Sequence, residues 1–174
     1  MMKKRWIVPA VAGAISMTLL AGCGSFEGSD PAITVGDTEI TADVANFYAR
    51  QTQAGYETYM SAYLGEDMWK SKATEGENYE ESVKSMIRDE LETMALLERH
   101  MSDYDVSISE AEQQVIAKTV QKFDEDNALE DKELVSGDRE VVERVLTLMA
   151  IRQKMTEAIQ AGADTEVSDE EAAQ

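Results

Sequence analysis

The stretch from Tyr79 to Met101, YEESVKSMIRDELETMALLERHM, decides the fold. Its apolar side chains recur at steps of three and four residues, a spacing that places them on one face of an α-helix: Val83, Met86, Ile87, Leu91, Met94, Leu97 and Met101. Charged residues dominate the remaining positions. The stretch therefore predicts an amphipathic, half-buried helix whose apolar face is covered by other elements.

Further helical patterns lie on both sides of this stretch. A first helix is predicted from Ala42 to about Leu64, with an imperfect helical face made by Val44, Phe47, Tyr48, Gln51, Tyr56, Tyr59, Met60 and Tyr63. Downstream, residues 109–112 (Ser-Glu-Ala-Glu) form a capping-box sequence that predicts the start of a third helix. Its expected inward residues are Val115, Ile116, Val120 and Phe123.

A fourth helix is predicted from near Asp138, after a polar stretch at 124–137, and Gly162 is expected to end it. Its expected face consists of Val141, Val142, Val145, Leu148, Met149, Arg152, Met155 and Ile159. Proline is nearly absent after Pro31, which favours long uninterrupted helices.

A short β-hairpin is predicted before the helices. Residues 33–35 and 38–40 are short extended pieces on either side of Gly36-Asp37, a dipeptide that suits a tight turn. Thr41 is expected to cap the first helix. The predicted fold class is mainly α, a bundle of about four helices preceded by the hairpin, in one domain at 32–163.

The charge of the chain limits its partners. Its 174 residues carry 16 Lys and Arg against 35 Asp and Glu, a formal net charge of −19. Such a chain repels nucleic acid and anionic lipid headgroups, so nucleic-acid binding is not expected.

The amino terminus resembles a bacterial lipoprotein signal. Three cations at residues 3–5 precede a short apolar run, and the run closes with Leu20-Ala21-Gly22-Cys23. This ending is similar to a lipobox, which implies cleavage after Gly22 and diacylglyceryl transfer to the thiol of Cys23. The predicted segments are a signal peptide at 1–22 and a lipidated tether at 23–31, which place the mature chain outside the cytoplasm on the cell membrane. The alternative is an ordinary cysteine at the end of a secretory signal.

The last residues, 164–174, leave two interpretations open. Residues 166–172 again combine a short extended piece with a capping-box sequence, because Ser168 is followed by Glu171. The segment is either a truncated start of a further helix or an acidic tail with a chance motif.

Nothing in the sequence points to catalysis. His100 is the only histidine and Cys23 the only cysteine, so histidine pairs and disulfides within the chain are excluded. Phosphate-cradling glycine loops and nucleophile-elbow motifs are absent from the sequence as well. The prediction is a chain without catalytic residues, metal or cofactor.

One aromatic and methionine-rich set is the candidate binding surface for polypeptides. It comprises Tyr56, Tyr59, Met60, Tyr63, Met68 and Trp69. Aromatic rings and flexible methionines suit varied apolar ligands, and replacing Met68 and Trp69 by alanine is expected to weaken binding. The alternative is that the tyrosines pack against the second helix and that Trp69 pins the following loop.

The order of these motifs resembles the amino-terminal region of extracytoplasmic foldases, the SurA-type chaperones and PrsA-type lipoproteins. The resemblance rests on the lipobox, the hairpin at 33–41, Phe47 and Tyr48 in the first helix, and the two Val-Ser boxes at 106–110 and 167–171. It implies a chaperone-like fold that binds unfolded secreted polypeptides without ATP. It also implies a parvulin-type prolyl isomerase domain after the second box, and a later segment that completes the helices.

Three functions follow from the resemblance and the residues together. The first is a membrane-anchored chaperone or foldase module. The second is a structural or adaptor envelope lipoprotein with one specific helical partner, and the third is a fragment of a parvulin-type isomerase. An apolar groove left open between the helices would accept a client, a partner chain or the second subunit of a homodimer.

Overall fold

A computed structural model describes residues 27–65, 67–74 and 77–162. The signal sequence, Gly22, Cys23 and the segment at 164–174 lie outside the described residues. The elements are β1 (Pro31–Val35), β2 (Thr38–Thr41), α1 (Ala42–Leu64), β3 (Lys72–Thr74), β4 (Glu77–Asn78), α2 (Tyr79–Arg99), α3 (Glu110–Asp126), α4 (Leu129–Leu134) and α5 (Arg139–Gly162). The predicted fold class is confirmed: the chain is mainly helical, with a short antiparallel hairpin on its amino-terminal side.

Helix α2 forms where the sequence pattern predicts it. Its start carries a capping box, in which the Asn78 side chain accepts a hydrogen bond from Glu81 N at 2.9 Å and the Glu81 carboxylate accepts one from Asn78 N at 3.3 Å. Val83, Ile87 and Leu91 are buried along its inner face. The helix ends at Arg99, and a separate 3-10 turn follows at Met101–Tyr104.

The hairpin closes one side of the core. β1 and β2 pair antiparallel, and Ile33 faces Ile40 with both side chains buried. Gly36 has a φ of 65°, a left-handed conformation that glycine adopts without steric cost and that the first position of a two-residue type II′ turn requires.

The start of α1 is held by the chain that precedes the hairpin, and the expected Thr41 cap is wrong. Ala42 N donates to the carbonyl of Asp30 at 2.8 Å, and Asp43 N donates to that of Gly28 at 2.9 Å. These bonds satisfy two amide groups that a helix start leaves without intrahelical partners. The Thr41 hydroxyl instead donates to the Asp43 carboxylate at 2.5 Å.

The core lies where α1, α2 and α5 pack together, with α3 laid against α5. Phe47 of α1 meets Phe123 of α3 edge-on, with ring centroids 5.5 Å apart. Two expected faces need correction. Val115 is 64 % exposed, so α3 packs through Ile116 and Val120 alone among its predicted aliphatic residues.

The predicted buried face of α5 also differs from the one observed. Met149 and Ile159 are exposed, Arg152 lies on the surface, and Ile151 is buried in their place. The polar stretch at 124–137 also contains the unpredicted helix α4.

Ion pairs between helices fix the alignment of α5. Arg144 pairs with Glu98, and Arg152 pairs with Glu90 at 3.2 Å, so α5 runs antiparallel to α2. Within the described residues, none of the helices combines the length and apolar character needed to cross a bilayer.

Candidate functional site

Four tyrosines share one face of α1 and become steadily more exposed along it. Tyr48, Tyr56, Tyr59 and Tyr63 are separated by helical steps of eight, three and four residues. Tyr48 is buried and Tyr56 half-buried, whereas Tyr59 is 74 % and Tyr63 85 % exposed. The face is therefore covered by the core over the first half of α1 and open to solvent over its last two turns.

The exposed end of this helix is also uncharged. Residues 58–65, TYMSAYLG, contain no Asp, Glu, Lys or Arg in a chain of net charge −19. Leu64 is exposed beside the two tyrosines, and Met60 is half-buried. We refer to residues 58–65 as the aromatic end of α1.

Tyr56 and Trp69 have a packing role instead. Their ring centroids lie 6.2 Å apart, and the Tyr56 hydroxyl donates to Sδ of Met86 on α2 at 3.5 Å. The Trp69 indole N–H donates to Oε1 of Glu57 at 3.2 Å. The pair thus holds the loop after α1 against α1 and α2, as the packing alternative requires for these two residues.

Met68 does not belong to an exposed surface. It lies in a 3-10 turn and is only 2 % exposed, so its side chain is part of the interior. The six candidate residues therefore divide. Tyr59 and Tyr63 are free to meet a ligand, Met60 and Tyr56 border them, and Met68 and Trp69 support the loop.

A groove of about 620 Å³ runs between α2 and α5. Sequence reasoning missed it, because it placed Met86 and Leu97 on the buried face of α2. Both residues line the groove, together with Ser82, Ser85, Asp89, Glu90, Thr93, Arg152 and Thr156. Since Tyr56 contacts Met86, the groove begins beside the Tyr56–Trp69 pair.

A three-helix hydrogen-bonded cluster forms one wall of the groove. Tyr48 of α1 donates to Oε2 of Glu90 on α2 at 2.5 Å, and Arg152 of α5 donates to Oε1 of the same carboxylate at 3.2 Å. Burial, followed by the hydrogen bond to Glu90 and its negative charge, raises the pKa of Tyr48 to about 12. The cluster ties α1 to the two helices, α2 and α5, that line the groove.

Metal chemistry finds no support in the part of the chain that is described. No group of three or more His, Cys, Asp or Glu side chains there could hold a metal ion. His100 lies at the end of α2, where its Nδ1 is 2.6 Å from Oδ2 of Asp103. The expectation of a chain without catalytic residues, metal or cofactor stays a prediction.

Comparison with protein families identifies the domain. The family model described as SurA-like N-terminal domain matches residues 1–137, which include the hairpin and α1 to α4. The chain belongs to the SurA-like N-terminal domain family. No curated protein and no solved structure matches it.

Membership of this family is consistent with a chaperone-like module that binds polypeptides. The expectation that this chain is not itself a prolyl isomerase stays a prediction. The narrower likeness to PrsA-type lipoproteins stays a prediction.

Proposed function

We propose that this protein is a membrane-anchored, extracytoplasmic chaperone module that binds unfolded secreted polypeptides without ATP. The observation that carries the proposal is the aromatic end of α1. Two tyrosines stand almost fully in solvent there, on an uncharged stretch of an otherwise strongly acidic chain.

The chemistry of this end suits varied apolar clients. Tyrosine offers a large contact area at a low cost in side-chain entropy, because only two torsions must be fixed. The flexible Met60 beside it adapts to different shapes. The negative charge elsewhere keeps the module soluble while it holds an apolar client.

The anchor and the aromatic end lie at opposite ends of α1 in this proposal. Gly28 and Asp30 are bonded to the start of α1, so a lipid on Cys23, five residues before Gly28, would lie near that end of the helix. Along the helix, Tyr63 is about 32 Å from Ala42, at 1.5 Å per residue. The anchor would therefore hold the module at the membrane while the tyrosines stay accessible.

Anchoring has a direct test. Cys23→Ser is expected to move the protein from the membrane fraction to the soluble extracytoplasmic fraction, because the two acyl chains would no longer be attached. Equal membrane retention of the variant and the natural protein would contradict the lipid anchor.

Client binding is tested by suppression of aggregation of a chemically unfolded protein, without ATP. The double variant Tyr59→Ser, Tyr63→Ser is expected to need about tenfold more protein for half-maximal suppression, since exposed aromatic anchors carry much of such binding energy. Tyr104→Ser is the matched control, because Tyr104 is 47 % exposed on the 3-10 turn after α2 and lies outside the aromatic end.

Met68→Ala with Trp69→Ala does not isolate client binding, because Met68 is buried and its loss would affect folding. Full activity of the tyrosine variant would remove the aromatic end from the site. Recovery of one stoichiometric envelope protein, with no activity on unfolded clients, would favour the adaptor function instead.

A further inference from the structure

The threonine hydroxyl groups that line the α2–α5 groove do not have free hydrogen-bond donors. Thr93 donates its hydroxyl proton to the carbonyl of Asp89, and Thr156 donates to that of Arg152, each at 2.8 Å. Ser85 Oγ accepts a bond from Arg88 at 3.1 Å. The two threonine donors are thus engaged within their own helices, and the Ser85 oxygen already accepts a bond.

The ionisable groups of the groove sum to a negative charge. Arg152 is balanced by Glu90, whose two oxygens bind Arg152 and Tyr48. Asp89 is the remaining charged residue of the lining. Its side chain is 64 % exposed and forms an ion pair with its sequence neighbour Arg88 at 3.1 Å. A cationic group that enters the groove therefore meets an accessible carboxylate, in the field of a chain of net charge −19.

The lining of the groove has the length of a short helix. Its lining on α2 extends from Ser82 to Leu97, which is about 22 Å or four helical turns. Met86 and Leu97 are the apolar residues of this lining. The walls are helices whose backbone groups are already bonded, so a ligand that satisfies its own backbone fits better than one that needs strand pairing.

We propose that the α2–α5 groove binds a helical polypeptide segment whose apolar face is bordered by Lys or Arg. The apolar face covers Met86 and Leu97, and a basic side chain pairs with Asp89. The inference rests on the proposed chaperone function only in that it names a class of client. The groove is a binding site separate from the aromatic end.

The test uses a fluorescent 18-residue helical peptide with a leucine face bordered by lysines, and a second peptide in which the lysines are replaced by glutamates. Each is titrated with the full chain in zwitterionic lipid nanodiscs, with empty nanodiscs as the blank, and anisotropy is measured. The lysine peptide is expected to bind at least about tenfold more tightly, and added salt should reduce the difference.

Two charge-reversal variants locate the site. Asp89→Lys is expected to weaken binding of the lysine peptide about five- to tenfold, because attraction becomes repulsion at the groove. Asp131→Lys makes the same change in net charge at an exposed position of α4 outside the groove. Both positions are exposed, so unchanged thermal unfolding should accompany both variants.

Equal affinity for the two peptides would overturn the proposal, and equal weakening by the two variants would overturn the assignment to the groove. Leu97→Ser tests the apolar contact independently. This variant is expected to bind the lysine peptide about tenfold more weakly, and unchanged affinity would contradict the apolar contact. If the Tyr59/Tyr63 variant keeps full chaperone activity while the peptide tests give the expected results, the aromatic end is rejected as a binding site and the groove is retained. If the tyrosine variant loses activity while the peptide tests fail, the groove alone is rejected as a binding site.

Discussion

Replacing Gly36 by alanine tests how the hairpin is joined to α2. Gly36 occupies the left-handed region with a φ of 65°, and a Cβ at this position would overlap the guanidinium group of Arg99. Arg99 donates to the carbonyl of Val35 at 3.4 Å and lies 3.4 Å from the carboxylate of Asp37. Gly36→Ala therefore strains the turn and displaces the arginine that binds both of its sides.

The two effects have separable magnitudes. An L-residue in the left-handed region costs roughly 1–2 kcal/mol. Losing a partly exposed arginine contact of this kind adds about 0.2–1 kcal/mol. The free energy of unfolding should fall by about 1.2–3 kcal/mol in total, which corresponds to a decrease in Tm of about 4–10 °C for a domain of this size.

A double-mutant cycle followed by urea denaturation separates strain from overlap. Arg99→Ala alone should cost less than about 1 kcal/mol. In the Arg99→Ala background, Gly36→Ala should lose only the backbone strain, so the two changes together cost less than their sum. If Gly36→Ala costs the same in both backgrounds, Arg99 does not pack over the turn. If it costs less than about 0.5 kcal/mol, the left-handed conformation itself is refuted.

Three further predictions follow. Tyr48→Phe should lower the free energy of unfolding by about 1 kcal/mol through loss of the bond to Glu90; ultraviolet absorbance should show one tyrosine titrating near pH 12 in the natural protein and not in the variant. The pKa of Glu112 is lowered to about 2 from 4.5, chiefly by the hydrogen bond from Lys154. The contribution of Glu112 to stability is therefore complete above pH 4.5 and is lost as the pH falls towards 2. Denaturation curves of Glu112→Gln should show a smaller decrease in the free energy of unfolding over that pH range than those of the natural protein. Met68→Ala should destabilise the fold by about 2–5 kcal/mol, whereas Tyr63→Ala should change its stability by less than about 0.5 kcal/mol in the same denaturation assay.

The local patterns of the sequence were sufficient to predict the hairpin, α2 and α3. The alternation around Gly36, the capping box at Ser109 and the periodicity of 79–101 are each encoded within a few residues, and all three form as predicted. The Thr41 cap failed for a different reason. The amide groups of α1 are satisfied by Gly28 and Asp30, whose approach depends on how the chain folds back and not on any local motif.

Burial was less predictable than helicity, because it depends on which side of a helix its neighbours cover. Val115 and Ile116 are both β-branched and adjacent, yet only Ile116 faces α5. Met86 and Leu97 belong to the apolar pattern of α2 but lie at its edge, where α5 leaves a groove instead of contact. A periodic pattern gives the width of an apolar face but does not give the fraction that the partner helices cover.

The tyrosine face of α1 shows what this difference means for function. The same residue type recurs from Tyr48 to Tyr63 at helical spacing, so the sequence offers no reason to treat one end as core and the other as surface. The tertiary contacts make the distinction: Tyr48 is fixed by Glu90 at the three-helix junction, whereas Tyr63 extends beyond the packed part of the bundle. Because both lie on one continuous helix, the buried end holds the exposed end rigidly in place. In the proposed function, rigid presentation would lower the entropy that must be lost when a client binds, so the buried tyrosine would contribute to binding by the exposed ones without contacting the client.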